Sequence, residues 1–202
     1  LNPVSKLEKK YSAHFDKSSN TKKETLTVGI PNALFMKEYS ALFQDFFERL
    51  GVNTVIENNT AIKMAQGKEI AYSEFCAPLL LTHGLIKSLM DKQVDYIFFP
   101  TIINEQSYLD KKSSEENFLA KERDSYFCYY SAYAPTLVDN LLTLDLGKKM
   151  ISPKIKFNNR PLKTVAEEIA ASLTSIISKS KDETIQAFLC AHEADQKNKS
   201  AW

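Results

Sequence analysis

The stretch that most constrains the fold is residues 26–56. Leu26-Thr27-Val28-Gly29-Ile30 is a short β-rich run closed by Pro31. Proline cannot donate to a sheet ladder, so such a run reads as a strand leaving its sheet. Phe35, Tyr39, Leu42, Phe43, Phe46, Phe47 and Leu50 then recur at three- and four-residue spacing, and Gly51 supplies a helix stop. Val52-Asn53-Thr54-Val55-Ile56 is a second β-rich run. A strand–helix–strand unit of about 30 residues is the crossover that joins parallel strands.

The alternation continues. Asn58-Asn59-Thr60 reads as a turn or cap before a short helix near 62–66, and Glu69-Ile70-Ala71-Tyr72 as a brief strand. Pro78 suits the first turn of a helix through Leu79, Leu80, His83, Ile86, Leu89 and Met90. Val94-Asp95-Tyr96-Ile97-Phe98-Phe99 is a strand ended by Pro100. Residues 104–124 are polar and read as an exposed excursion. Residues 125–140 run from a loop into a helix, and 141–146 read as a strand. Residues 151–158 are extended around Pro153, and two helices close the chain. The expected fold is α/β: a Rossmann-like, mostly parallel sheet flanked by helices, with C-terminal helices. Residues 26–202 read as a single domain. Residues 1–25, polar and lysine-rich, read as a linker or domain-boundary segment, and the chain as a piece of a longer protein.

Composition excludes several classes. Lys+Arg 26 against Asp+Glu 25 gives a net charge of +1, so neither nucleic acid nor a membrane is an expected partner. No apolar run reaches the ~20 residues of a membrane span. The N-terminal residues lack the apolar core of a signal peptide. Three cysteines, widely spaced, argue against a disulfide framework and for a reducing, cytoplasmic setting. The five glycines, at 29, 51, 67, 84 and 147, cannot form a G-x-G-x-x-G or a Walker loop, so no nucleotide site is expected in this chain. Zinc-spaced cysteine pairs, an H-E-x-x-H and a serine nucleophile elbow are also missing from the sequence.

In open α/β sheets ligands bind beyond the carboxyl ends of the strands. Those ends carry Pro31-Asn32, residues 73–76, Pro100-Thr101 and the Cys128 segment. Cys76 precedes a helix, where amide dipoles favour a thiolate, with Glu74 and His83 close in sequence. It reads either as a metal or iron–sulfur ligand or as a buried packing residue. Cys128 lies among aromatics, which suit a shielded cluster ligand and equally a core. Cys190, between Leu189 and Ala191, reads as packing.

Three segments carry a resemblance. They are Val28-Gly29-Ile30-Pro31-Asn32-Ala33-Leu34-Phe35-Met36, then Ser73-Glu74-Phe75-Cys76-Ala77-Pro78 with His83-Gly84, then residues 94–100. With Phe127-Cys128, Tyr133-Ala134-Pro135 and the alanine-rich closing helix, their order resembles the domain of unknown function in acyl-CoA dehydratase activase-related proteins. That family includes the 2-hydroxyacyl-CoA dehydratase activator and CoA-substrate-specific enzyme activase proteins. The resemblance implies an accessory domain of an activase-related protein that holds or docks an iron–sulfur centre for electron transfer. Its partners would be ATPase and dehydratase-like domains of the same or a partner protein, with acyl-CoA as a further candidate ligand.

Carried over by residue, the resemblance makes Cys76 and Cys128 ligands to a [4Fe–4S] cluster. Glu74 and His83 become groups orienting the loop and helix start, and Thr101 lines the same edge. The chain departs from the family pattern at several of these points. Thr101 stands where a third cysteine is expected, Tyr129 where a proline follows the second, and Asn32 where an arginine follows Ile-Pro. The expected lysine after Cys-x-Pro is replaced by Leu80 or Leu81. The alternatives are a structural or interaction module without cofactor, and a dehydratase-like, acyl-CoA-binding enzyme domain.

Overall fold

Nearly every residue of the first strand is buried, as the centre of a doubly covered sheet requires. The computed structural model describes residues 26–58, 60–71, 75–105, 126–141, 149–158 and 160–200. Strand β1 (Thr27–Pro31) leads into helix α1 (Met36–Arg49) and strand β2 (Asn53–Glu57). Helices α2 (Ala61–Ala71) and α3 (Ala77–Asp91) follow, then β3 (Tyr96–Phe98) and β4 (Thr101–Asn104). Next come α4 (Tyr129–Ala132), α5 (Ala134–Leu141), β5 (Met150–Ile151) and β6 (Lys154–Lys156). Helices α6 (Leu162–Leu173) and α7 (Lys181–Ser200) end the chain. The main sheet has the order β2-β1-β3-β5, and its pairs are parallel. The fold is α/β with a mostly parallel sheet between helices, as the pattern of alternating elements predicts.

Strand periodicity decides which helix covers which face. Val28 pairs with Tyr96 and Gly29 with Ile97, so Phe98 shares a face with Val28 and Ile30. Phe43 and Phe47 of α1 meet Phe98 at ring centroid distances of 4.8 and 5.1 Å. Phe188 of α7 joins that layer, 5.7 Å from Phe46 and edge-on to it. On the other face, a Cβ added to Gly29 would lie 2.9 Å from Leu89 of α3, so the missing side chain lets α3 settle onto the sheet. The α1 stripe is thus buried against the sheet, and Gly51, at φ +73°, ends the helix as its position suggests.

Three local expectations are corrected. Residues 69–71 are the last turn of α2, with Tyr72 outside the described residues. This helix has no apolar stripe to reveal it, and Ile62 is 72% exposed. Instead α2 crosses α3 backbone to backbone. A Cβ on Gly67 would overlap the Leu80 carbonyl oxygen, and one on Gly84 the Lys63 carbonyl oxygen. Leu141 closes α5 and does not open a strand; 142–146 lie outside the described residues. Asn104 is buried in β4, where its Oδ1 accepts from the Asn158 amide, and does not begin an exposed excursion. Residues 106–124 lie outside the described residues, as does the proposed linker, 1–25.

Pro100 ends β3, but the extended chain goes on. β4 pairs with β6 in the same register as β3 with β5, which places Pro100 opposite Pro153. Two prolines lacking N–H groups interrupt one long ladder at a common level. The peptide groups on either side still pair: the Phe99 amide donates to the Ile151 carbonyl and the Thr101 amide to the Pro153 carbonyl.

Candidate functional site

The loops at the carboxyl ends of β1 and β3, the start of α3 and the start of α4 meet through aromatic rings. Phe35, just after the β1 loop, packs on Phe99 at 5.8 Å and on Phe127 at 5.6 Å. The Phe127 amide donates to the Ile103 carbonyl, and Tyr126 bridges to Asn104, which hangs the Cys128 segment on β4. Phe75, one residue before Cys76, meets Tyr130, two residues after Cys128, at 6.4 Å. The structure therefore brings the two sulfur-bearing loops together.

Cys76 caps the 15-residue helix α3 with extended backbone, φ −62° and ψ 147°, and its carbonyl accepts from the Leu79 and Leu80 amides. Cys128 sits at the same position before α4. Both thiols are exposed, so neither belongs to the packed core. The Cys128 thiol is held below its ordinary range, chiefly by the backbone amides of Ser131 and Tyr130, with the Ser131 hydroxyl assisting and slight burial opposing. Cys190, expected to pack, is also exposed. It lies on α7 in an open groove beside Arg49 and Leu50, at the C-terminal end of α1 and so at the opposite edge of the sheet.

His83 is completely buried. Its Nδ1 lies 2.8 Å from the Leu79 carbonyl oxygen, which makes Nδ1 the protonated nitrogen. Nε2 is buried with no partner among the described residues. The imidazole is stacked on Phe75, with centroids 5.9 Å apart and planes at 11°. Burial lowers the His83 pKa, partly offset by the Leu79 bond. Thr101 lies inside β4, buried, its hydroxyl 3.3 Å from that of Ser152. Glu74 and Ser73 lie outside the described residues. Asn32 donates from its backbone to the Glu57 carbonyl and from its side chain to Asn58.

The sequence gives no sign of the ring contacts among Phe75, His83 and Tyr130, because Phe75 precedes α3 and no helical spacing links it to His83. It also does not reveal Glu57. This carboxylate is buried at the end of β2 and paired with both Lys63 and Lys92. Lys63 is held below its ordinary pKa by burial first and by Lys92 second.

A family model described as "CoA enzyme activase uncharacterised domain (DUF2229)" matches residues 27–202. The chain belongs to this family. No curated protein matched the chain. No solved structure matched it either. Among the described residues, no helix of this activase-family domain is long and apolar enough to cross a membrane.

Two half-buried or buried histidines give the domain a pH dependence. Burial lowers the folded-state pKa of both His83 and His192 below the ordinary 6.5. The unfolded chain therefore takes up protons near pH 6.5 that the folded chain refuses. Stability is level above that pH and falls as pH drops below it. The melting temperature is expected to decline between about pH 7.5 and 5.5, with a shallower decline in His83→Phe. A parent curve that is flat over that interval would contradict the burial assigned to these rings.

Proposed function

We propose that this chain is an accessory domain of an activase-related protein, and that Cys76 and Cys128 hold or dock an iron–sulfur centre on the sheet edge. One observation carries the reading. Two exposed thiols start two helices on loops that touch through Phe75 and Tyr130. The backbone amides of Ser131 and Tyr130 favour the Cys128 thiolate. The residues fit a cluster in part. Thr101 is an unsuitable third ligand, because its hydroxyl is buried and shared with Ser152. The remaining ligands come, in this reading, from an ATPase or dehydratase-like domain docked over the edge. Tyr129 and Tyr130, 68% and 51% exposed beside Cys128, suit such a covering partner.

The cluster would supply one-electron transfer. The chain's own part is to present two sulfur ligands beside aromatic rings and leave an open side for the partner. Anaerobic reconstitution with ferrous iron, sulfide and excess small thiol tests this, the added thiol filling the unserved corners. Broad visible absorption is expected in the parent and in Cys190→Ala, with most of it lost in Cys76→Ala and in Cys128→Ala. A colourless parent, or colour indifferent to both substitutions, overturns the reading.

A further inference from the structure

The two sulfur-bearing loops come from distant parts of the chain, and among the described residues no hydrogen bond or ion pair joins them. What joins them is a row of rings. His83 stacks nearly parallel on Phe75, and Phe75 meets Tyr130 at 63°. We infer that this column, His83–Phe75–Tyr130, sets the spacing between the Cys76 and Cys128 thiols, with His83 as its buried positioning residue.

The histidine supplies two things. Its face supports Phe75, the residue next to Cys76. Its Nδ1–H, donated to the Leu79 carbonyl, ties the ring to the first turn of the helix that Cys76 caps. The ring plane is thus fixed relative to the Cys76 backbone. Nε2 is buried with no partner among the described residues. The ring acts there through its face and its Nδ1–H. Tyr130 carries the contact to the other loop, being part of the turn whose amides face the Cys128 sulfur. Without Phe75 in its place, the start of α3 would keep its helix but lose its reference to α4.

The inference rests on the proposed site only for why the spacing matters. The spacing itself is measured without iron. Nitroxide labels on Cys76 and Cys128, in a Cys190→Ser background, give the distance distribution by pulsed electron paramagnetic resonance. The parent is expected to show one narrow peak. Tyr130→Ala, a half-exposed position whose loss spares the core, and His83→Ala are expected to lose it for a broad or shifted distribution. His83→Phe, which keeps the stacked face, is expected to stay close to the parent. Circular dichroism on each variant confirms that the fold is retained. Distributions unchanged in both alanine variants overturn the inference. So does a His83→Phe distribution as broad as that of His83→Ala, which would make the nitrogen and not the ring essential. A narrow parent peak in a protein that never takes up iron would leave the column standing and remove only the cluster.

Discussion

Gly84→Ala is expected to destabilise the domain by about 3 kcal/mol, the upper part of the ordinary range for overpacking. The direction is the opposite of what helix propensity says, since alanine in a helix interior normally gains ~0.5–1 kcal/mol over glycine. The contact at the crossing decides the sign. A methyl group at 84 would overlap the Lys63 carbonyl, and one at 67 the Leu80 carbonyl. Backbone cannot rotate away as a long side chain can, so α2 and α3 must part along their length. Gly67→Ala should cost a similar amount. The double variant should cost less than the sum, because helices already separated accept the second methyl. Urea unfolding reads all three. A Gly84→Ala protein as stable as the parent would show that these helices do not cross at their backbones.

Phe43→Ala should be the most damaging side-chain truncation, at about 3–5 kcal/mol. The ring is completely buried and lies between Phe98 of the sheet, at 4.8 Å, and Phe188 of the closing helix, at 6.3 Å. It therefore ties α1 to the sheet and to the closing helix, which are far apart in sequence. The expected loss combines the removed apolar surface with a cavity that neighbouring rings, held by their own contacts, cannot close. Against a typical total of ~5–15 kcal/mol, that loss leaves a protein near its unfolding threshold at ordinary temperature. A cost below about 1 kcal/mol would mean that the aromatic layer is not packed between sheet and helices.

Where the sequence carried a strong period, the fold was legible. The α1 stripe from Phe35 to Leu50 and the β-rich runs on either side read directly as strand, helix and strand, because burial against a sheet selects those spacings. The same holds for the closing helices. Where contacts are made by backbone or by a few residues, the period is silent. Helix α2 shows no stripe because Gly67 does its packing, and the triplet at 69–71 imitates a strand. Pro100 ends a strand in the sequence and in the main sheet, yet Thr101 starts another, since Pro153 interrupts the facing chain at the same level.

The candidate site shows the same division. Residue types alone mark Cys76 and Cys128, because a thiol before a helix is chemically suggestive wherever it occurs. Alone they leave open whether either is packed, exposed or near the other. The family match likewise reaches the whole domain without naming a residue.

By itself the sequence determined the α/β class, the parallel crossover and the family, since periodicity and the order of elements are properties of the chain in one dimension. Only the tertiary structure decided that two thiols 52 positions apart face solvent on touching loops, that Thr101 is turned inward, and that a buried imidazole supports the ring between them. Those facts depend on side chains meeting across layers, and no local pattern encodes which distant ring a given phenylalanine will touch.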